Sequence, residues 1–578
     1  MAAIALAATH LMYKQRAPGV PCKEILCQQV SVKWVAAFLS LYEFVGIAYP
    51  NDNIIRQQVI MTQCTISMQE KPVHEPGLST PEAEFKREKV NPPKHPILDG
   101  FSPSEIADIV QLKRFFEWTG GDKEFEESVN TGSFSAAQLE RLQKIGVTFD
   151  VNELSILWKD PQLFAKVMQL IMSGDQALPA DLAGAIAPDS LPALWLRYSA
   201  RKGKLRRRSL ASSYRIPQNQ HFDAWRQRRI ASTRSELGFF GRSIDHPILA
   251  LEMGDGCSVG CWFCAFAARK LTTNLDYEKN RDYFRSIVQD CADMFGRKET
   301  AMTLLYYGTE PHDNPHFLDY VKDHMAITGH ATCTSTTAAH DATWVRELIS
   351  FYRSHTLPWP RFSVLSKSLL YQIHDTYTPD ELRDVELLMQ MKEHSRQKVS
   401  GGRILEENNG MRGKEDGHYL DEIIPQGSIA CVTGFLINLV NKTIQIVSPC
   451  YTSTKWPFGY RVFGTATFSG AEDFQSVMQG LIEKHMPLTI VKTAIARFRD
   501  DLKYRPSEQG FDLVSPNQIH HFTGPQLFKP LGDLIAQGTL TYQQVLDTLV
   551  DTLPTNPMLI SSAVTQLFDG GFLDEVGV

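Results

Sequence analysis

Three cysteines stand close together in an otherwise scattered set. Cys257, Cys261 and Cys264 follow the spacing C-x3-C-x2-C inside Gly256-Cys257-Ser258-Val259-Gly260-Cys261-Trp262-Phe263-Cys264. The chain carries 10 cysteines, and only these three are tightly clustered. Clustered thiols in a large chain point to metal binding or catalysis. A structural zinc site takes four ligands, and an electron-transfer iron–sulfur cluster takes four cysteines. No fourth Cys or His is nearby; the next cysteine, Cys291, falls in a helical pattern. Three thiolates can hold three irons of a [4Fe–4S] cluster. The fourth iron is then open, and an open metal position is where a substrate or cofactor binds.

A loop that does chemistry must be held by regular elements. The motif follows an apolar stretch at 248–253 that reads as a strand, so it sits at a strand's C-terminal end. Further strands are expected at 302–307, 331–336 and 362–365, with helical patterns at 283–294 and 343–352 between them. Strand–helix alternation means parallel strands in a wound or barrel-like α/β domain, whose chemistry lies at the strands' C-terminal ends. Upstream, residues 100–200 read as helices. Ser102 or Ser104 caps a helix bearing Ile106, Ile109, Val110, Leu112, Phe115 and Phe116 at helical spacing, and 150–157 and 161–172 continue the pattern. Residues 428–448 alternate like a hairpin turning at Asn441-Lys442. In the tail, Val545, Leu549 and Leu553 share one helical face, and Ile560, Val564 and Leu567 share another, before Gly570-Gly571.

These signals divide the chain into an irregular segment at 1–95, a helical domain at 96–200 and a basic linker at 201–244. An α/β domain at 245–425, a hairpin at 426–465 and a helical domain at 466–578 follow. Met68 is a second candidate start. A length of 578 residues exceeds one compact core. With 43% hydrophobic and 21% charged residues, the composition is that of a globular protein. A net charge of −6 excludes a global attraction to nucleic acid. The basic run Arg201-Lys202-Gly203-Lys204-Leu205-Arg206-Arg207-Arg208 reads as a solvated linker or as a local patch for an acidic peptide or a phosphate backbone. No run approaches the ~18 apolar residues of a membrane span. At the N-terminus the positive charges follow the apolar stretch, the wrong order for a secretory signal. The expectation is a cytoplasmic protein with reduced thiols and no membrane partner.

With Phe263 before its last cysteine, the C-x3-C-x2-C motif resembles the signature of the radical S-adenosylmethionine (SAM) superfamily. The resemblance implies a partial TIM-type (β/α)6 barrel and a [4Fe–4S] cluster on Cys257, Cys261 and Cys264. SAM then chelates the open iron beside Phe263, and one electron from an external flavodoxin- or ferredoxin-type donor cleaves it to a 5′-deoxyadenosyl radical. Gly308-Thr309-Glu310 resembles the family's Gly-Gly-Glu segment, with Thr309 in place of the second glycine. The resemblance assigns its backbone and Glu310 to the SAM amino group, Thr336 (with Thr334 and Ser335 beside it) to the ribose, and Ser363 to the ribose or carboxylate.

A closer resemblance covers roughly residues 100–465. His246-Pro247-Ile248-Leu249-Ala250, the cluster motif, Asp313-Asn314-Pro315, Ser448-Pro449-Cys450 and Trp456-Pro457 resemble radical SAM peptide epimerases of the proteusin type. Ala265 stands where that family has glycine. The family inverts L-residues of a ribosomally made precursor peptide, which carries a leader sequence. The radical takes the Cα hydrogen from one face, and a cysteine thiol returns one to the other. A weak S–H bond can quench a carbon radical; a serine O–H does not readily do so. Cys450, at a strand end beside Pro449, is the favoured donor and Cys431 the alternative, with Cys333 expected in the core. A turn at Asn441-Lys442 pairs Val440 with Thr443 and Thr433 with Cys450, which makes Cys431 and Cys450 diagonal neighbours on one face. The two cysteines also resemble the start of an auxiliary-cluster domain, but no cysteine follows Cys450. The tail resembles the helical half of winged-helix domains that bind leader peptides, and the N-terminal helices are a second candidate for that role. Competing readings are thioether or carbon–carbon crosslinking of a peptide, RNA modification, and a non-catalytic peptide-binding scaffold.

Overall fold

The computed structural model describes residues 97–159, 186–212, 215–238, 241–355, 360–391, 401–404, 428–524 and 526–576. The irregular segment expected at 1–95 and the helix expected at 161–172 lie outside the described residues. Ser102 opens the first helix, Pro103–Gly121. Its hydroxyl accepts the Glu105 N–H at 3.2 Å, and the Glu105 carboxylate accepts the Ser102 N–H at 2.7 Å, a reciprocal capping box. Helices Lys123–Thr131, Ala136–Lys144, Ile156–Lys159 and Leu191–Ser212 follow.

Thirteen strands follow in chain order among the described residues. They are β1 (Leu249–Glu252), β2 (Gly254–Asp255), β3 (Thr273–Asn274), β4 (Thr303–Leu304), β5 (Ser335–Thr336), β6 (Arg361–Val364), β7 (Glu386–Met389), β8 (Gly434–Asn438), β9 (Thr443–Pro449), β10 (Tyr460–Thr467), β11 (Lys503–Ser507), β12 (Gly510–Val514) and β13 (Ile519–Thr523). One five-stranded sheet has the order β10-β9-β8-β1-β4, with β1 parallel to both β4 and β8. A second sheet, β5-β6-β7, is entirely parallel. The expected strand–helix alternation is therefore present in a mixed α/β fold. Helices Tyr277–Phe295, Phe317–Thr328, Ala342–Arg353 and Lys367–Thr376 lie between successive parallel strands.

Two divisions expected from the sequence do not hold. The N-terminal helices are not a separate unit, because Phe115 and Trp195 share one apolar core with Phe362 of β6 and Leu387 of β7. Lys113, itself buried, donates to the carbonyls of Leu382, Arg383 and Val385 at 3.0, 3.0 and 2.7 Å, just ahead of β7. Residues 201–244 are not a linker either. The helix Leu191–Ser212 runs through the first part, and Gln220–Leu237 is a second helix whose Phe222 and Trp225 are wholly buried. Three of its arginines, Arg226, Arg228 and Arg229, are buried with partners. Arg228 binds Glu575 at 2.9 and 2.7 Å, and Arg229 binds the same carboxylate. Local charge reads as solvated because the neutralising acid lies more than 300 residues away.

The hairpin register also differs. Asn438 pairs with Thr443 and Gly434 with Val447, so residues 439–442 form the loop. The Asn438 side chain accepts the N–H groups of Val440 and Asn441 at 3.0 and 2.9 Å and ends the strand early. This moves every pairing by two residues and leaves Cys431 ahead of β8. A third strand, β10, extends the hairpin to a meander. Beyond it the tail is not purely helical. Helix Ala471–His485 packs into the core of the five-stranded sheet. The antiparallel sheet β11-β12-β13 then shares a separate core with helices Phe528–Gln537, Tyr542–Thr552 and Pro557–Asp569.

Candidate functional site

The cysteine motif leaves β1 through the short β2. Gly256 has φ +99°, and a Cβ there would meet the carbonyl oxygens of Lys270 and Arg269 at 2.6 and 2.7 Å. Glycine thus permits the close pairing in which Cys257 N–H donates to Arg269 O at 2.9 Å. Ser258 N–H donates to Asp313 at 2.9 Å, Cys264 N–H to Cys261 O at 3.2 Å, and Ala268 N–H to the Cys264 sulfur at 3.4 Å. All three thiols are half-buried and free.

The surroundings of Cys257 and Cys261 resist ionisation. Burial first, then Cys257, Cys264 and Glu310, push the Cys261 thiol up to about 12. Burial also raises Cys257, with Asp313 and Glu310 adding and the N–H groups of Val259 and Gly260 opposing. Three thiols within electrostatic reach of one another ionise together only with cationic charge between them, which a metal supplies. Among the described residues no three His, Cys, Asp or Glu side chains converge as around a single ion. That spacing differs from a cluster's, in which each thiolate ligates its own iron. The donor set fits a [4Fe–4S] cluster.

Residues the sequence did not single out brace this loop. Arg403 donates to the carbonyls of Cys261 at 2.9 Å and Ala268, and its N–H donates to Cys264 O at 3.0 Å. Gly402, at φ +49°, lies so close that a Cβ would meet the Cys264 and Ala265 oxygens at 2.4 Å. Trp262 anchors the loop to the end of β7 by donating to Gln390 O at 3.0 Å. The signal available in the sequence was the pair Gly401-Gly402 ahead of an arginine.

After β4, the half-buried Glu252 at the end of β1 accepts the Gly308 N–H at 2.7 Å. A side chain at Gly308 would approach that carboxylate at 3.1 Å. Glu310 is buried and accepts from the Thr336 hydroxyl, from Thr337 N–H and Oγ–H at 3.0 Å each, and from His312 N–H at 3.2 Å. Burial raises its pKa, and these donors oppose the rise. Thr336 also accepts the Ala338 N–H at 3.0 Å. Thr336 is therefore buried and committed to holding Glu310, not turned to a ribose. Phe263, Thr309 and Ser363 are half-buried, with Ser363 opposite Leu388 in the β6–β7 ladder.

The thiols expected on one hairpin face have different surroundings. Cys450 is wholly buried, donates to Tyr451 O at 3.2 Å and is raised by burial; Arg461 opposes the rise, and Glu236, Asp500 and Asp501 add to it. Cys431 is pushed up to about 12 by burial, then by Asp245, against the pull of Arg361, with Cys333 adding. It packs on the same small core of Ala250, Val432, Leu436 and Val447 as Tyr307, whose hydroxyl faces the Cys431 backbone and whose ring stacks on Phe266 at 4.2 Å, two residues past Cys264. Cys431, not Cys450, is thus linked by side-chain packing to the cysteine loop.

Residues 496–571 match the family model described as the protein y4wI C-terminal domain. The chain is 30% identical over 481 residues to "Uncharacterized protein y4wI" of Sinorhizobium fredii (strain NBRC 101917 / NGR234), covering 82% of this chain and 89% of the relative. The chain belongs to the y4wI family. A shared stretch of 481 residues takes in the cysteine loop wherever it begins and is far longer than the matched C-terminal domain. No solved structure matches the chain. Among the described residues no helix is long and apolar enough to cross a membrane.

Proposed function

We propose that this chain is a cytoplasmic radical SAM peptide epimerase. The observation that carries the reading is the loop on which Cys257, Cys261 and Cys264 crowd one another beside Glu310. The parallel pairing of β1 with β4 and of β5, β6 and β7 in a second sheet, with helices between successive strands, supports a partial TIM-type barrel around it. When bound, the cluster and SAM supply a hydrogen-atom abstractor at a carbon centre.

The chain's own residues do the rest. Gly308, Thr309 and Glu310 form one wall of the SAM site; Thr336 and Thr337 hold the Glu310 carboxylate in place. Ser363 and Phe263 line the same site. A hydrogen atom leaves the peptide Cα on one face for the abstractor that bound SAM supplies, and a carbon radical remains there. The S–H bond of Cys431 breaks and a new C–H bond forms on the other face. The thiyl group takes an electron from a flavodoxin- or ferredoxin-type donor and a proton from solvent. Cys431 takes this role from Cys450 because Cys450 is enclosed by Glu236, Arg461 and Asp500. The C-terminal domain, with its exposed edge strand β11, is the surface for a leader peptide.

Co-expression with a candidate leader–core peptide in heavy water tests the reaction. Epimerisation keeps connectivity and adds one deuterium at each inverted Cα, recovered as D-residues after hydrolysis. Loss of two hydrogens without deuterium gain would establish crosslinking instead. An unchanged peptide, together with failure of the reconstituted chain to cleave SAM, would remove the radical SAM reading.

A further inference from the structure

Arg361 begins β6, and its guanidinium donates to the Tyr306 hydroxyl at 2.9 Å. Its Nε is fully enclosed and has no hydrogen-bond partner; the equally enclosed Tyr307 hydroxyl faces the backbone N–H groups of Cys431 and Val432, and its own proton has no acceptor. Among the described residues no carboxylate lies within ion-pair distance of Arg361. Glu386, opposite Arg361 in the β6–β7 ladder, attracts it from beyond ion-pair distance and is itself paired with Lys202 at 2.6 Å. The Cys333 thiol stands 3.8 Å from the Tyr306 hydroxyl, and Cys431 is within electrostatic reach of Arg361, Cys333, Tyr306 and Tyr307. Arg361 itself is half-buried, but an enclosed guanidinium N–H with no acceptor is costly, and so is an enclosed hydroxyl proton with none. Such groups persist where a ligand supplies the missing acceptor.

We propose that Arg361, Tyr306 and Tyr307 form a binding site for an acceptor oxygen of the substrate, a peptide carbonyl or a carboxylate, beside Cys333 and Cys431. The guanidinium offers Nε–H as a fixed, charge-assisted donor, and the Tyr307 hydroxyl offers a second. Placed there, a substrate carbonyl would lie next to the two thiols. The stacking of Tyr307 on Phe266 joins the site to the cysteine loop. That the ligand is a peptide rests on the epimerase reading; that it presents an acceptor oxygen does not.

Thermal unfolding of the full chain without turnover tests the site, with N-acetylglycine as the carboxylate probe and N-acetylglycinamide as the neutral carbonyl probe. A dose-dependent rise in Tm is expected in the wild type. Arg361→Met should weaken the response at least about tenfold, as loss of a charge-assisted bond does. Tyr306→Phe should weaken it less, and Arg361→Lys should retain part of it. Response to both probes assigns a backbone carbonyl to the site; response to N-acetylglycine alone assigns a carboxylate. No response in the wild type, or an equal response in Arg361→Met, overturns the proposal. Should Arg361→Met fail to fold, Tyr306→Phe and Arg361→Lys carry the same comparison. Neither probe depends on epimerisation, so this result and the heavy-water result can fail separately.

Discussion

The Arg403 guanidinium donates to the Cys261 carbonyl at 2.9 Å, and its backbone N–H donates to the carbonyl of Cys264 at 3.0 Å. One residue, more than 130 positions downstream, thus holds two of the three cysteine peptides in place. Arg403→Ala removes charge-assisted bonds of about 1.5–3 kcal/mol each. Gly402→Ala forces a side chain to φ +49° against two carbonyl oxygens, at about 1–3 kcal/mol. Both variants should bind less iron and sulfide after reconstitution while keeping their far-UV spectrum. Wild-type iron content in both would show that the brace does not bear on the cysteines.

The donor thiol is open to a direct comparison. Cys431→Ala should abolish deuterium incorporation and leave SAM cleavage in place. Cys450→Ala should retain incorporation, because its thiol sits behind Arg461 and Glu236. The reverse pattern would return the donor role to Cys450, and loss only in Cys333→Ala would move it to the thiol beside Tyr306.

Glu575 is the shared partner of two buried guanidinium groups, Arg228 and Arg229. Its removal leaves both charges enclosed. Glu575→Ala is expected to cost about 3–5 kcal/mol in chemical denaturation. Proteolysis should begin in the C-terminal domain, since helix 220–237 and that domain meet at this carboxylate. A cost below about 1 kcal/mol, the value of an exposed pair, would show that the arginines find other partners.

Acid should loosen the contact between the C-terminal domain and the loop after β9. Burial works against ionisation of Asp500, but Arg461, at 2.6 Å, outweighs it, with Trp456 and Lys455 adding, and the carboxyl is held down at about 2. A depressed folded-state value means stability that is present above the ordinary value of 3.8 and is lost as the pH falls toward about 2. Asp500→Asn should lack that part of the Tm-versus-pH slope and match the wild type at the acid end. An identical slope in both proteins would assign the acid transition to other carboxylates.

Part of this protein was legible from its residues in order. The C-x3-C-x2-C spacing, the strand before it, the Ser102 cap and the strand–helix alternation all depend on near neighbours, because turns, caps and periodicity are local interactions. The sheet β11-β12-β13 was missed because short, half-exposed strands carry weak alternation, and only the core they share with three helices makes them a sheet. Long-range partners were not legible at all. Lys202, Arg228 and Arg229 read as parts of a basic linker until Glu386 and Glu575 came to meet them. The register set by the Asn438 side chain was not legible either, and Cys431, ahead of β8, and Cys450, just past β9, take their surroundings from distant residues. Sequence alone determined which residues could ligate metal. Tertiary structure decided which thiol lies beside Tyr307, which arginine braces the loop and which is left without an anion, because burial and electrostatic pairing are properties of distance in space.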